Sequence, residues 1–218
     1  MNIAPYIDHT LLKPNATISE IEKLCQEAME YGFATVCVNP IWVADCQSIL
    51  QLSLVDICTV IGFPLGSNTS AVKSYEAIKA IEAGASEIDM VINIGALKSS
   101  LPARVEDDIN LVRQSTMNST LKVIIETCLL TDAEKELACT FAKNCGADFV
   151  KTSTGFSTGG ATVEDIKLIR KVIGPNMGIK ASGGIRDLKT AQAMMYAGAN
   201  RLGCSASVAI VSEDNPVV

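Results

Sequence analysis

The sequence contains few of the features that mark membrane-bound or nucleic-acid-binding proteins. Its 218 residues include no run of 18 apolar residues, so neither a membrane-spanning segment nor a membrane partner is predicted. Acidic residues outnumber basic ones by 24 to 18, and the net charge of −6 argues against a general surface for nucleic acid. A local basic pocket for a phosphate group is still compatible with this charge.

Zinc ligands in a recognisable pattern are also missing. The chain has one histidine, His9, and its eight cysteines form no C-x-x-C pair. The N-terminus lacks the basic and apolar segments of a secretion signal, so a disulfide framework is not expected either. We therefore predict reduced, mostly buried thiols, no zinc site and a cytoplasmic protein.

The hydrophobic pattern predicts alternating strands and helices. Apolar residues recur three or four positions apart in several segments, which is typical of helices with one buried face. Between them lie short, nearly all-apolar segments, as in a parallel sheet covered by helices. We predict eight strands, centred near residues 8, 36, 59, 90, 124, 151, 180 and 203.

Each interval between these centres has room for one strand, one helix and two loops. The predicted fold is therefore α/β, a (β/α)8 TIM barrel that forms a single domain over residues 1–218. A doubly wound open sheet is the alternative, but no G-x-G-x-x-G motif follows the first strong strand. Capping signals support the helices: Thr17, Thr131 and Thr162 each precede an acidic residue by three positions.

Two lysines lie inside short apolar segments and are soon followed by glycine. Lys151 follows Phe149-Val150, and Lys180 follows Gly178-Ile179. Burial disfavours the charged form of an ammonium group, so a lysine in a strand often has a chemical task. The commonest such task is attack on a carbonyl group. This pair predicts a reactive site at the carboxyl ends of two neighbouring strands.

Six segments in the same order resemble one enzyme family, the deoxyribose-phosphate aldolases. These segments are IDHTLL (7–12), VCVNP (36–40), VIGFPLG (60–66), EIDMVIN (87–93), FVKTSTGF (149–156) and IKASGGIR (179–186). The resemblance extends from residue 7 to about residue 207. It implies a TIM-barrel lyase, a class I aldolase that reversibly cleaves 2-deoxy-D-ribose 5-phosphate to acetaldehyde and D-glyceraldehyde 3-phosphate in deoxyribose phosphate catabolism. It also implies small phosphosugar and aldehyde substrates, with no metal or other cofactor.

The resemblance assigns the three main catalytic roles. Lys151 matches the Schiff-base nucleophile, and Asp89 matches the residue that donates and accepts protons. Lys180 is expected to join the proton transfer and to repel the ammonium form of Lys151, so that Lys151 loses its proton more easily. The residues alone leave two alternatives open: Asp89 as a passive counter-ion, and Lys180 as a phosphate ligand.

A phosphate site is expected in the loops after strands seven and eight, where TIM barrels commonly hold one. The residues assigned to phosphate or substrate binding are Gly155, Gly183, Gly184, Arg186 and Ser205. Three further residues are candidates for the pocket: Asp8, Cys37 and Thr152. Cys37 is expected to open toward the barrel mouth, so excess acetaldehyde is predicted to cross-link it to Lys151. His9 is expected to be structural.

This chain departs from some relatives of the family at two points. Phe156 stands where some relatives carry a lysine, which removes a positive charge and leaves open the preference for phosphorylated over plain aldehydes. Some relatives end in a tyrosine that folds over the site, whereas this chain ends in Asp214-Asn215-Pro216-Val217-Val218. The assembly is open as well, with a homodimer as one option.

Other functions share parts of this pattern. A phosphosugar isomerase would need the Gly183-Gly184 loop but not Lys151. A class I aldolase with a ketone donor would keep the Schiff base and change the substrate. A non-enzymatic sugar-phosphate sensor would need the fold alone.

Overall fold

A closed barrel of parallel strands, paired in chain order from β1 to β8 and back to β1, forms the centre of the computed structural model. Residues 2–214 are described, apart from the side chain of Asp214. The strands are β1 (Ile7–Leu11), β2 (Thr35–Val38), β3 (Asp56–Ile61), β4 (Glu87–Val91), β5 (Thr120–Ile124), β6 (Phe149–Lys151), β7 (Gly178–Ser182) and β8 (Arg201–Cys204). Every predicted strand centre lies within one of them. The single-domain TIM-barrel prediction is confirmed, and the open sheet is excluded.

Helices cover the outside of the barrel. Within residues 2–214 they are α1 (Ile18–Tyr31), α2 (Val43–Leu50), α3 (Ser70–Glu82), α4 (Ile94–Lys98), α5 (Pro102–Ser115), α6 (Asp132–Asn144), α7 (Val163–Ile173), α8 (Leu188–Ala197) and α9 (Ser207–Asp214). The short α4 was not predicted. Thr17 and Thr131 complete capping boxes, and the Thr162 hydroxyl accepts from the Asp165 N–H at 3.0 Å. None of the described helices is both long and apolar enough to cross a membrane.

Strand alternation separates an apolar layer from a charged one. In β4, Ile88 and Met90 belong to the hydrophobic core beneath the helices, whereas Asp89 points into the barrel. Burying an aliphatic side chain of this size contributes roughly 1.5–3 kcal/mol, so the outer layer stabilises the fold. The inner layer can therefore hold buried charges, which are costly unless they are paired.

Candidate active site

Lys151 and Lys180 are register partners on neighbouring strands, at the carboxyl end of the barrel. Lys151 is the last residue of β6, and Lys180 lies in the middle of β7. Both side chains are buried, with 2% and 0% of their surface exposed. The two predicted lysines are thus brought together inside the barrel.

Asp89 of β4 joins these two lysines inside the barrel. Its Oδ2 accepts from Lys151 Nζ at 2.8 Å and from Lys180 Nζ at 2.7 Å. Burial alone would raise the pKa of this carboxyl, but the charges of Lys122, Lys151 and Lys180 outweigh burial. The pKa of Asp89 is therefore held well below its ordinary value, and the residue is a carboxylate at neutral pH.

Lys180 is held between two carboxylates, those of Asp8 and Asp89. Burial alone would lower its pKa, but Asp8 and Asp89 raise it well above the ordinary value. Lys180 therefore stays an ammonium group in the neutral range. Lys151 has a different environment, because Asp89 is its one ion-pair partner among the described residues.

A third lysine inside the barrel, Lys122, was not predicted from the sequence. It projects from β5, and its Nζ donates to Asp89 Oδ1 at 2.9 Å and also contacts Glu87. Arg201 of β8 lies below, with its Nη1 2.6 Å from Asp8 Oδ1. Lys122 carries one part of the signal that identified the other two lysines, since it lies between Leu121 and Val123 in an apolar strand, but no glycine follows it closely.

These side chains form a charged cluster inside the barrel. We define the cluster as Asp8, Glu87, Asp89, Lys122, Lys151, Lys180 and Arg201. Four basic groups thus face three carboxylates. Lys151 is the amine of this cluster with the fewest carboxylate partners, and it lies beside the carboxylate of Asp89. The cluster can therefore present an amine to the cavity next to a carboxylate.

A cavity of about 260 Å³ opens above the cluster. Lys151 lines it, as do all five predicted phosphate-site residues: Gly155, Gly183, Gly184, Arg186 and Ser205. Gly183 and Gly184 have φ of 86° and 80°, a left-handed conformation that favours glycine. Their backbone is therefore able to approach a ligand closely.

Glycine also makes room at the floor and rim of this cavity. A Cβ on Gly203 would lie 3.1 Å from Lys180 Cε, so Gly203 leaves space for that side chain. At the rim, a Cβ on Gly160 would lie 2.2 Å from the Gly183 carbonyl oxygen. The same carbonyl accepts from the Ala161 N–H at 3.0 Å. The loops after β6 and β7 therefore touch through their backbones.

The three additional pocket candidates do not line this cavity. Asp8 belongs to the charged cluster beneath it, and Thr152 is fully buried, with its hydroxyl 3.0 Å from the Ser182 carbonyl oxygen. Cys37 is also fully buried, contrary to the expectation that it opens toward the mouth, because it packs with Leu12 and Cys58 inside the barrel. Its hydrogen bond with Cys58 is the main cause that lowers the pKa of the Cys37 thiol to about 7.

Two aromatic rings meet at the mouth. Phe156 lines the cavity, and its ring centroid lies 5.3 Å from that of Phe63 in an edge-to-face arrangement. Phe156 therefore presents apolar surface at the position where some relatives carry a lysine. The tyrosine tail of those relatives corresponds to a segment outside the described residues.

Comparison with known proteins identifies the family. Residues 3–212 match the model of the DeoC/LacD family aldolases. The chain belongs to this family. A deoxyribose-phosphate aldolase of Geobacillus sp. is 59% identical over 211 residues, which cover 96% of this chain and 95% of the relative.

Solved aldolase structures agree closely with this aldolase. The structure described as QR15, an aldolase, has a TM-score of 0.94 and 42% identity, covering 97% of this chain and 95% of its own. The deoxyribose phosphate aldolase of Aeropyrum pernix, described as having a unique tetrameric structure, has a TM-score of 0.91 and 35% identity. The match covers 99% of this chain and 92% of that chain. The isomerase and sensor alternatives therefore lose their support, and the chain is a lyase.

Proposed function

We propose that this aldolase cleaves 2-deoxy-D-ribose 5-phosphate to acetaldehyde and D-glyceraldehyde 3-phosphate through a Schiff base on Lys151. One observation carries the proposal: Lys151 both lines the cavity and lies 2.8 Å from the buried carboxylate of Asp89. The deoxyribose-phosphate aldolase from Geobacillus supports the choice of substrate. The reaction runs in both directions because carbon–carbon cleavage and addition share one enamine.

The reaction begins with the neutral amine of Lys151. It attacks the aldehyde carbon of the open-chain sugar, and the carbinolamine loses water to give an iminium ion. The bond between C2 and C3 then breaks as the C3 hydroxyl loses its proton, and the electron pair of that bond forms the enamine. D-glyceraldehyde 3-phosphate leaves. Protonation of the enamine carbon and hydrolysis of the iminium release acetaldehyde and restore the amine.

Asp89 and Lys180 are the proposed proton carriers. Asp89 is a carboxylate within hydrogen-bond distance of Lys151, so it can accept a proton as the carbinolamine forms and return one later. Lys180 stays charged beside it and stabilises its carboxylate form. Lys180 is also the register partner of Lys151 on the neighbouring strand, so its charge acts directly beside the reactive amine.

The phosphate is proposed to bind on the side of the cavity formed by Gly183, Gly184 and Ser205. Backbone N–H groups and the N-terminus of α9 are suited to an anion, and Arg186 adds a positive charge at the rim. Gly155 lies on the same wall. Phe156, supported by Phe63, forms an apolar side of the cavity, which would contact the carbon chain of the substrate.

Trapping with borohydride tests this proposal against a ketone-donor aldolase. The protein is incubated with acetaldehyde and reduced, and peptide mapping locates the adduct. We expect a reduced ethylidene group on Lys151. An adduct with dihydroxyacetone phosphate but none with acetaldehyde would instead establish a ketone donor.

Location, cofactor requirement and assembly complete the proposal. We place the enzyme in the cytoplasm, where its phosphorylated substrate would be retained and its free thiols would stay reduced. Activity is expected to survive dialysis against a chelator, because the proposed chemistry uses side chains alone. A homodimer is the proposed assembly, and light scattering in solution tests it.

A further inference from the structure

A line of hydrogen bonds connects α1, β1 and α9 behind the proposed phosphate site. His9 Nε2 lies 2.8 Å from Glu27 Oε2, and His9 Nδ1 lies 2.9 Å from Ser207 Oγ. The Ser207 hydroxyl in turn lies 3.0 Å from the carbonyl oxygen of Cys204 at the end of β8. These contacts tie the first residue of α9 to two neighbouring strands and to a distant helix.

The central members of this line are held rigidly and shielded from water. His9 and Cys204 are register partners across β1 and β8. The His9 ring packs against Phe33, with 4.9 Å between ring centroids, and only 4% of the residue is exposed. Ser207 is fully buried. Hydrogen bonds in such surroundings are stronger than in water and are costly to leave unmade.

The donors follow from the chemistry of the groups. A carboxylate only accepts, so His9 Nε2 carries the hydrogen that points to Glu27. Burial lowers the pKa of His9, although Glu27 partly offsets this effect, so the ring is neutral near pH 7. Nδ1 is then an acceptor, and it shares the one hydrogen of the Ser207 hydroxyl with the Cys204 carbonyl oxygen. The Ser207 hydroxyl is therefore held between His9 and the end of β8.

The line ends beside the cavity that contains Lys151. Ser205 lies two residues before Ser207 and lines that cavity. A second cavity of about 500 Å³ lies behind Ser205, bordered by His9, Glu27 and others. On that side the start of α9 borders open space, and the hydrogen bonds of the buried Ser207 fix its first residue to β1 and β8.

We propose that His9 is a positioning residue for phosphate binding, which fixes the N-terminus of α9 through Ser207 at the distance that the phosphate requires. This inference rests on the proposed function, since it needs a phosphate at Ser205. It gives the one histidine of the chain a role in substrate preference. His9 itself touches neither the reacting carbons nor Lys151 in this proposal.

The test compares two serines of the same helix, Ser207→Ala and Ser212→Ala. Ser212 is exposed, and its hydroxyl donates to the Val208 carbonyl within α9, so its loss is the matched control. Each variant is assayed with 2-deoxyribose 5-phosphate and with 2-deoxyribose, which lacks the phosphate. For Ser207→Ala we expect the ratio of the two kcat/KM values to fall about three- to tenfold, the effect of one lost hydrogen bond. This loss should appear in KM for the phosphorylated substrate, with kcat unchanged, and Ser212→Ala should match the wild type.

Two further variants separate positioning from general damage to the fold. His9→Asn can retain the contact with Ser207, whereas His9→Leu removes it, so phosphate preference should survive better in His9→Asn. Competitive inhibition by inorganic phosphate should weaken in His9→Leu and Ser207→Ala alike. The double variant should lose no more than the worse single variant, because both act through one contact.

The outcomes distinguish this inference from the proposed function. A wild-type enzyme that does not prefer the phosphorylated sugar would overturn the phosphate site itself. A wild-type preference that Ser207→Ala and His9→Leu both retain would overturn the role of His9 alone. An equal loss on both sugars would do the same, since it would indicate structural damage without an effect on the phosphate.

Discussion

Lys122 and Lys151 hold opposite oxygens of the same carboxylate. Lys122 Nζ donates to Asp89 Oδ1 at 2.9 Å, and Lys151 Nζ donates to Asp89 Oδ2 at 2.8 Å. Lys122 is fully buried and also contacts Glu87, so it fixes the carboxylate without reaching the cavity. Asp89 thereby presents one oxygen toward the chemistry and anchors the other in the barrel interior.

This arrangement predicts that Lys122 stabilises the whole fold, in addition to fixing the carboxylate of Asp89. Lys122→Met would leave Asp89 and Glu87 short of a buried partner, so the free energy of unfolding should fall by about 3–5 kcal/mol. Urea denaturation measures this free energy of unfolding. Lys79→Met, which removes an exposed contact with Glu82, is the control and should change little. Equal stability of the two variants would mean that Lys122 is not needed to neutralise the cluster.

Loss of Lys151 is expected to abolish cleavage. Neither Lys151→Ala nor Lys151→Arg can form an iminium ion, because alanine has no amine and the arginine guanidinium is not nucleophilic. The measurement is release of acetaldehyde from 2-deoxyribose 5-phosphate, with circular dichroism to show that the barrel is folded. Full activity in either variant would end the Schiff-base proposal.

Lys180 is expected to control the pH dependence of the reaction. Lys180→Leu removes a charge that disfavours the ammonium form of Lys151 and leaves Asp8 and Asp89 less neutralised. Both effects favour that ammonium form, so activity should appear only at higher pH. The profile is measured on 2-deoxyribose, because a lysine that served only as a phosphate ligand would leave this profile unchanged.

Acid should destabilise the enzyme partly through Asp89. The pKa of its carboxyl in the folded protein lies well below the value of 3.8 expected when exposed. The unfolded chain therefore binds its proton first as pH falls, and the stability that Asp89 contributes above pH 3.8 is lost below it. The fall in unfolding free energy between pH 5 and pH 3, as measured in urea, should be smaller in Asp89→Asn than in the wild type. The exposed Asp107→Asn is the control, and a wild-type slope in Asp89→Asn would contradict the prediction.

Cys37 is predicted to be the thiol whose modification inactivates the enzyme in excess acetaldehyde. Condensation of two acetaldehyde molecules gives an unsaturated aldehyde, whose iminium on Lys151 can be attacked by a nearby thiol. Cys37 does not line the cavity, but its thiol lies near the reactive amine, since its pKa is lowered to about 7 mainly by the hydrogen bond with Cys58 and in part by the charges of Lys180 and Lys151. This lowered pKa makes it a better nucleophile than an ordinary cysteine. Cys37→Met should therefore resist slow inactivation, whereas Cys128→Met, at the exposed thiol, should not. A modified peptide that contains Cys128 would place the reaction at the surface.

Asp8, Asp89, Lys151 and Lys180 could be named from the sequence as site residues, whereas Glu87, Lys122 and Arg201 could not. Asp89, Lys151 and Lys180 stood out because each interrupts an apolar strand in a recognisable motif. Lys122 also interrupts an apolar strand, but no glycine-rich loop follows β5, so the pattern that marked the other lysines is incomplete there. Which carboxylate meets which lysine depends on the heights of side chains across the closed barrel, and that information is absent from local patterns.

The direction of side chains near the strand ends could not be predicted from local sequence patterns either. Thr152 directly follows the reactive lysine, yet strand alternation directs its hydroxyl to Ser182 and away from the cavity. Cys37 was expected at the mouth because it is near the end of β2, but Leu12 and the β3 residues Cys58 and Val60 pack around it. In both cases the covering residues come from distant parts of the chain.

The contact between Gly160 and Gly183 limits how this pocket can be altered. Since the two backbones touch, any side chain added at Gly160 would displace the Gly183 carbonyl oxygen and shift both loops together. A mutant library aimed at new substrates would therefore lose most of its members at these positions, whatever residue was introduced. Phe156 is half-exposed at the tip of its loop, and it is the place where diversity in acceptor aldehydes can be introduced without disturbing the rim.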